Sequence, residues 1–322
     1  MVLSPLLGFY TMLASVLLVA ISSSSPFMMW VCLELNMLMF LPIMSSESGL
    51  ALENTMKYFL VQSWASIFFL TGVIMSMVLG QVMLSISVFS LMLKLGAAPF
   101  HSWFISILKS SSMWILMLLS TLQKCIPLIM VMNFSVSAYI IVPLMLLTVL
   151  FTYFSLPGTI SINKILALSS MVNLSWLLLS VQHSLKLLFS FFVIYTILLM
   201  SVVAVCSKHG AASFSGLINL SFLDKGAIVF VFMSLGGIPP LLGFLGKLLV
   251  LKSSLQYFNF SLILVLVYGS LLVLYTYTSR LFFTLSNSPS IKPAAKNVKT
   301  SLSVYLLCGS LASFNMMMVM PI

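Results

Sequence analysis

Apolar residues run along nearly the whole chain, and within each run they occupy every side of a helix rather than alternate positions. The runs are long enough to cross a hydrocarbon core of about 30 Å, which takes roughly 20 helical residues. A transmembrane β-barrel would instead show strands of about 10 residues with a polar face. The pattern therefore predicts an all-α polytopic membrane protein with about 11 transmembrane helices. The predicted helices span approximately residues 3–21, 26–44, 55–77, 82–105, 112–132, 136–155, 160–180, 185–206, 219–255, 258–283 and 301–319.

The composition excludes a soluble globule, because 61% of the 322 residues are hydrophobic and only 6% are charged. So little polar surface cannot cover a water-soluble fold.

The net charge of +10 comes from basic residues scattered singly, without the basic patch that nucleic acid requires, so we expect no nucleic-acid partner. The four cysteines lie far apart and form no C-x-x-C pair, so we expect no metal or iron–sulfur site.

The basic residues also predict orientation, because short loops on the inner side of a membrane carry an excess of Lys and Arg. An odd number of helices puts the termini on opposite sides, and an inner N-terminus places nine basic residues inside and two outside. The inner set is Lys57, Lys109, Lys164, Lys208, Lys225, Arg280, Lys292, Lys296 and Lys299, and the outer set is Lys186 and Lys252. No basic residue precedes Lys57, so we expect neither a cleaved secretory signal nor a transit peptide.

Four charged residues fall well inside predicted helices: Glu34, Lys94, Lys124 and Lys247. A charge at mid-bilayer costs about 2.5–3.5 kcal/mol on insertion scales, so such groups face protein or water and commonly serve transport or proton relay. Lysine suits proton handling because burial favours the neutral amine while a nearby carboxylate favours the ammonium. One alternative is that a lysine side chain extends to the membrane interface, and Lys247 is the best candidate for this. The other is that the lysines form purely structural ion pairs.

Two segments interrupt these helices beside the lysines: LKLGAAPFH at 93–101 and MSLGGIPPLLGFLGK at 233–247. Glycine relaxes the backbone and proline removes an amide donor, and in lipid such breaks are tolerated where they line a hydrated cavity. The predicted breaks involve Gly96, Pro99, Gly236, Gly237, Pro239 and Pro240. His101 lies near the first break. We expect His101 and Lys164 to be supporting polar groups.

The broken helices are the fourth and the ninth, so they cross the membrane in opposite directions. This is typical of an inverted repeat, in which discontinuous helices place binding groups near the midplane. We therefore predict one transmembrane domain over residues 1–322, built from an inverted 5+5 helix repeat with halves of approximately 1–133 and 136–284. An extra C-terminal helix at approximately 301–320 follows a polar linker at Ser286–Thr300.

Six motifs, in order over roughly residues 1–285, resemble the NADH dehydrogenase subunit 2 family of mitochondrial complex I. They are WVCLELNMLMFLPIM (30–44), KYFLVQSWAS (57–66), LMLKLGAAPFHSWF (91–104), TLQKCIPL (121–128), INKILALSSMVNLSWLL (162–178) and LGGIPPLLGFLGK (235–247). The resemblance implies a mitochondrially encoded, antiporter-like subunit that moves protons from the matrix to the intermembrane space. It also implies the inner mitochondrial membrane, with the N-terminus in the matrix and the C-terminus in the intermembrane space.

By the same resemblance, Glu34 matches the family's intramembrane glutamate, and Lys94 matches the lysine that pairs with this glutamate. Lys124 matches the central lysine of the following helix. Lys247 matches the lysine after the second break. The chain departs from the family at Phe104–Ile105–Ser106, where relatives usually have proline after the aromatic position. It also departs at Gly246, where relatives usually have proline before the lysine. The resemblance implies as partners other complex I membrane-arm subunits, including antiporter-like, small hydrophobic and accessory subunits, and phospholipids such as cardiolipin. We expect no cofactor on this chain, because it contains no dinucleotide-binding motif and no ligand set, so NADH, FMN, iron–sulfur clusters and ubiquinone belong to other subunits.

Three alternatives remain open at this stage. A monovalent cation/proton antiporter subunit would share the fold, although we expect it to be longer. A mainly structural membrane subunit would carry the four charged residues only as packing or assembly contacts. A channel would show rings of charges or carbonyls around a symmetric pore, and single lysines do not favour it.

Overall fold

The computed structural model describes residues 3–46, 51–79, 84–134, 138–208, 210, 213–217, 222–258 and 260–286. The predicted helix at 301–319 lies outside this part of the chain. Within the described residues the protein is entirely helical, without a strand, which confirms the predicted all-α class. The helices are α1 Leu3–Ser22, α2 Pro26–Ser45, α3 Ala51–Leu79, α4 Leu84–Leu95, α5 Ser102–Ser110, α6 Met113–Ser120, α7 Leu122–Asn133, α8 Ala138–Ser155, α9 Ile162–Val181, α10 Leu185–Lys208, α11 Phe222–Gly236, α12 Leu242–Ser254 and α13 Phe260–Ser286, with a short 3₁₀ helix at Phe214–Leu217.

Each helix predicted before residue 287 overlaps one or two of these helices. In the described part of the chain, seven segments are long and apolar enough to cross a membrane. They are Pro26–Ser45, Ala51–Leu79, Met113–Asn133, Ala138–Ser155, Ile162–Val181, Leu185–Ser207 and Phe260–Phe283, and shorter apolar helical segments cover Gly8–Ser22, Leu84–Leu95 and Lys225–Gly236. The protein is therefore a membrane protein with several apolar helices.

The chain divides into two compact units, a first unit of Met1–Thr148 and a second unit of Val149–Ile322. The division falls within α8, whereas the sequence places the change of halves in the loop before that helix. In the first unit α3 packs on α2 and α4, and α7 packs on α4 and α2. In the second unit α10 packs on α9, α11 and α12. These contacts bring together the helices that carry the charged residues of each unit.

Serine and threonine residues within the helices bond their hydroxyls to carbonyls one turn earlier. Ser90 donates to the carbonyl of Ser87 at 2.6 Å, and Ser201 donates to that of Leu198 at 2.6 Å. Such local bonds satisfy a hydroxyl without a partner on another helix. Polar residues of this type are therefore compatible with a membrane interior, where unsatisfied polar groups are costly.

The predicted fifth helix, 112–132, corresponds to one candidate span but is interrupted at Thr121. The backbone there has φ −116° and ψ −84°, so α6 ends at Ser120 and α7 begins at Leu122. The Thr121 hydroxyl and amide both donate to the carbonyl of Met117, at 2.6 and 3.0 Å. Pro127, one turn beyond the start of α7, has no amide hydrogen to donate to the carbonyl of Gln123. The interruption at Thr121 lies two residues before Gln123 and three before Lys124.

Gly72 allows α3 to approach α4 closely. A Cβ at this position would lie 2.6 Å from the backbone nitrogen of Ser87. We expect Gly72→Ala to lower the free energy of unfolding by about 1–3 kcal/mol, because overpacking against backbone forces the helices apart. Gly226→Ala is the matched control, because a Cβ there has no heavy atom within 4 Å. Thermal denaturation of both variants tests this, and equal midpoints would contradict the predicted collision.

Candidate functional site

The first break follows α4 and has the hydrogen bonds of a Schellman motif. The amide of Gly96 donates to the carbonyl of Leu93 at 3.1 Å, and the amide of Ala97 donates to that of Met92 at 3.0 Å. Gly96 has φ 70°, the left-handed conformation that this ending requires. A Cβ on Gly96 would also lie 2.9 Å from Cβ of Phe104. Glycine therefore serves both the turn and the close packing of α5.

Side chains of neighbouring helices satisfy carbonyls that the first break exposes. The indole of Trp103 donates to the carbonyl of Leu93 at 3.2 Å. The amide of Gln62 on α3 donates to the backbone carbonyl of Lys94 at 3.3 Å. In lipid, broken backbone persists only where protein or water supplies such partners.

The second break, after α11, repeats the same hydrogen-bond pattern. Gly237 has φ 88°, its amide donates to the carbonyl of Ser234 at 3.1 Å, and the amide of Ile238 donates to that of Met233 at 3.4 Å. The amide of Leu241 then donates to the carbonyl of Ile238 at 2.9 Å. The first break has an equivalent turn, from Phe100 to Ala97 at 2.9 Å. Two different sequences thus form the same ending.

Lys247 on α12 lies directly at the second break. Its ammonium donates to the carbonyl of Gly236, the last residue of α11, at 2.7 Å. A Cβ on Gly237 would lie 2.7 Å from Nζ of Lys247, so glycine there leaves room for the ammonium. A side chain at Gly243 would collide with the carbonyl oxygen of Ser234, which shows how closely α12 approaches α11. The lysine supplies a hydrogen bond to a carbonyl at the end of the interrupted helix.

The first unit contains a polar cavity, called here the first cavity. Its polar lining residues are Asn36, Tyr58, Gln62, Lys94, Gln123 and Lys124. Lys94 is 6% exposed and Lys124 is 2% exposed, and both face this space. The cavity has room for about one water molecule. The Lys124 ammonium also lies 4.9 Å from the ring centroid of Phe104, within the range of a cation–π interaction.

Glu34 on α2 is half-buried and does not line the first cavity. Its carboxylate is near enough to the Lys94 ammonium for Coulomb attraction. In the described part of the chain, no ion pair within 4.0 Å joins these two side chains. The geometry therefore allows the carboxylate to influence the charge on Lys94 without direct contact.

The second unit contains its own cavity beside Lys247, called here the second cavity. Lys247 is 7% exposed, and Asn173 and Tyr195 are the other polar residues that line this space. The apolar part of the lining includes Leu198 and Phe191 of α10. Each unit therefore holds at least one buried lysine in a cavity that also contains an asparagine and a tyrosine.

The two supporting residues suggested by sequence do not line these cavities. His101 precedes α5, and its Nδ1 lies 3.2 Å from the carbonyl oxygen of Pro99. Lys164 lies in the first turn of α9 and is half-buried. At the departures from the family pattern, Ile105 is half-buried and Ser106 is exposed, whereas Gly246 is buried. The ring of Phe104 contacts Lys124, and a Cβ on Gly246 would lie 2.9 Å from the ring of Phe191.

Sequence reasoning missed four polar residues of the first cavity: Asn36, Tyr58, Gln62 and Gln123. All four are buried, and Asn36 lies two residues from Glu34 in a helix that is otherwise strongly apolar. An uncharged polar residue inside an apolar run is the signal that would have found them.

Within the described residues, no group of three or more His, Cys, Asp or Glu side chains is placed to hold a metal ion.

Comparison with known proteins defines the class of membrane protein to which this arrangement belongs. Residues 23–273 match the family described as NADH:quinone oxidoreductase/Mrp antiporter, TM. The chain therefore belongs to this family of antiporter-like membrane subunits. Its relatives include NADH-ubiquinone oxidoreductase chain 2 of Anopheles gambiae, 31% identical over 97% of both chains. Chain 2 of Artemia franciscana is 36% identical over 80% of this chain and 83% of the relative.

Solved structures show the same fold. A chain of respiratory complex I from Thermus thermophilus superposes with a TM-score of 0.80 at 20% identity, over 95% of this chain and 77% of that chain. A chain of the Mrp complex from a Dietzia species gives a TM-score of 0.76 at 18% identity, over 91% of this chain and 62% of that chain. The resemblance seen in the six sequence motifs is confirmed by the family and the relatives.

Proposed function

We propose that this chain translocates protons from the mitochondrial matrix to the intermembrane space as a membrane-arm subunit of NADH:ubiquinone oxidoreductase. One observation carries the proposal. Each compact unit has a break in an apolar helix beside a cavity that contains a buried lysine. A charge in the membrane interior is costly, and ionisable groups kept at such positions commonly serve transport or proton relay.

The repeated geometry of the two breaks supports an inverted repeat with discontinuous fourth and ninth transmembrane helices. In transporters built this way, broken helices line a hydrated site near the midplane. Gly96 and Gly237 adopt the same left-handed conformation and end their helices with the same pair of hydrogen bonds. The eleven-helix topology, with one C-terminal helix after this repeat, is part of the proposal.

The proposed relay uses Lys94 and Lys124 in the first unit and Lys247 in the second. In the first cavity, the Lys94 ammonium gives a proton to the neutral amine of Lys124, directly or through a cavity water. Glu34 biases this step, because moving a carboxylate relative to a lysine changes how strongly the amine holds its proton. In the second cavity, Lys247 holds a proton while its ammonium bonds to the carbonyl of Gly236.

The rest of the proposal concerns location, orientation and partners, and it extends the similarity to NADH-ubiquinone oxidoreductase chain 2. We place the chain in the mitochondrial inner membrane, with the N-terminus in the matrix and the C-terminus in the intermembrane space, as the distribution of basic residues favours. Its proposed partners are other membrane-arm subunits of the complex, and phospholipids, including cardiolipin, would contact its apolar surface. Electron transfer from NADH through FMN and iron–sulfur clusters to ubiquinone would occur on other subunits.

A monovalent cation/proton antiporter subunit is the second candidate, because the fold also matches a chain of an Mrp complex. Identities of 31–36% to chain 2 relatives favour the complex I assignment. The two functions differ in a measurable way. An antiporter would exchange Na⁺ or K⁺ for protons in vesicles without NADH, whereas the proposed subunit would move protons only during NADH oxidation.

Lys124→Met tests the proposed function, with Lys109→Met as the matched control. Lys124 is buried in the first cavity, whereas Lys109 is exposed at the end of α5. We expect Lys124→Met to slow proton transfer through the first cavity by about 100-fold or more and Lys109→Met to leave it unchanged. Proton uptake by vesicles containing the assembled complex is the measurement. Equal rates for the two variants would favour a mainly structural subunit.

A further inference from the structure

Three buried side chains from three helices of the first unit form one hydrogen-bonded group. The amide of Asn36 on α2 donates to Oε1 of Gln123 on α7 at 2.7 Å. The hydroxyl of Tyr58 on α3 donates to the same oxygen at 3.0 Å. A longer bond of 3.5 Å runs from Nε2 of Gln123 back to Oδ1 of Asn36. All three residues line the first cavity together with Lys94 and Lys124.

The three side chains differ in what they can do with a proton. An amide oxygen accepts two hydrogen bonds, and Oε1 of Gln123 already receives two. Neutral amides do not carry protons readily, so Asn36 and Gln123 can orient neighbours but are poor carriers. A phenol hydroxyl donates one hydrogen bond and accepts others, so it can take up one proton while releasing another. Within this group, only Tyr58 has that property.

We propose that the Tyr58 hydroxyl passes protons between Lys94 and Lys124, with Gln123 and Asn36 as positioning residues; this inference rests on the proposed function. The Lys94 ammonium releases a proton to the phenol oxygen, directly or through a cavity water. The original hydroxyl proton passes to the neutral Lys124 amine as the O–H bond turns away from Gln123. Lys94 ends neutral, Lys124 ends charged and Tyr58 remains a neutral phenol.

The local structure allows the hydroxyl to turn while its ring stays fixed. The Tyr58 ring packs against Phe40, with centroids 5.3 Å apart, and against Trp103 at 6.2 Å. When the hydroxyl turns, Oε1 of Gln123 keeps the hydrogen bond from Asn36. The Gln123 oxygen therefore never lacks a hydrogen-bond donor. This avoids the free-energy cost of a buried acceptor without a partner. Asn36 thus lowers the barrier to each reorientation.

The second cavity contains the same three residue types. Asn173, Tyr195 and Lys247 line it, so an asparagine, a tyrosine and a lysine occur together in both units. Tyr195 is 3% exposed and lies on α10, which packs on the helix that carries Lys247.

Tyr58→Phe in the assembled complex tests the inference, because it keeps the ring and removes only the hydroxyl. We expect proton transfer through the first cavity to fall by about 100-fold, the lower end of what one positioned acid–base group contributes. The readout is NADH-driven proton translocation into vesicles, divided by the amount of assembled complex. Tyr153→Phe is the control, since Tyr153 is 40% exposed on α8, and it should translocate at the wild-type rate.

Two further variants separate proton transfer from a structural role. Tyr58→His, whose ring both donates and accepts, should recover part of the rate lost in Tyr58→Phe. The double variant Asn36→Leu/Gln123→Leu removes both amides but keeps the Tyr58 hydroxyl, which then lacks its acceptor on Gln123. Normalised to the amount of assembled complex, it should slow translocation less than Tyr58→Phe does. A His variant no faster than Tyr58→Phe, or a double variant at least as slow, would overturn the inference.

Lys124→Met distinguishes failure of the inference from failure of the proposed function. If Lys124→Met loses translocation while Tyr58→Phe retains it, the inference alone is wrong. If both variants translocate at the wild-type rate, the proposed function itself is wrong, and the inference falls with it.

Discussion

Lys247→Met is expected to slow proton transfer through the second cavity by about 100-fold or more, as expected for loss of a positioned acid–base group. The variant removes the cation and also the hydrogen bond to the carbonyl of Gly236. Methionine is of similar length and apolar, so the surrounding helices should still pack. NADH-driven proton translocation, measured together with the amount of assembled complex, gives the result.

Lys252→Met is the matched control for this prediction. Lys252 lies on the same helix, α12, but its side chain is exposed. We expect this variant to assemble and translocate as the wild type does. If Lys247→Met also translocates at the wild-type rate, Lys247 is a structural cap for α11 and no proton carrier. Lys247→Arg separates these roles further, because arginine can donate to the carbonyl but holds its proton at any working pH.

The positions of the buried lysines and the helix endings could be predicted from sequence, because both depend on local chemistry. A lysine inside an apolar run must face protein or water, and Lys94, Lys124 and Lys247 are all buried beside cavities. Glycine at a left-handed position followed by proline ends a helix whatever surrounds it. Gly96 and Gly237 both have positive φ.

The polar network of the first cavity could not be predicted in the same way. Gln123 bonds to residues 65 and 87 positions earlier in the chain, so the contacts depend on how α2, α3 and α7 pack. The bond from Lys247 to Gly236 spans 11 residues and likewise depends on the path of the chain between α11 and α12. The interruption at Thr121 was also missed, because no glycine or proline occurs at that residue.

Glu34→Gln and Lys94→Arg should each slow proton transfer through the first cavity strongly, for opposite reasons. Glutamine keeps the size of the side chain but removes the charge that attracts the Lys94 ammonium. At an effective dielectric constant near 20, two unit charges attract by about 4 kcal/mol at 4 Å and about 2 kcal/mol at 8 Å. A movement of Glu34 within this range would change the proton affinity of Lys94 enough to hold or release a proton.

Arginine at position 94 keeps the positive charge and the attraction to Glu34, but it does not give up its proton under working conditions. Lys94→Arg should therefore assemble and still fail to translocate, as should Lys94→Met, which has no proton to give. Glu53→Gln is the control, because Glu53 forms an exposed pair with Lys57 on α3, and such surface pairs contribute little. Protons moved per NADH oxidised decide the outcome. Wild-type values in Glu34→Gln and Lys94→Met would show that the Glu34–Lys94 interaction is only structural. A lower number of protons per NADH in Glu34→Gln, Lys94→Arg and Lys94→Met, with a wild-type number in Glu53→Gln, assigns the interaction to proton transfer.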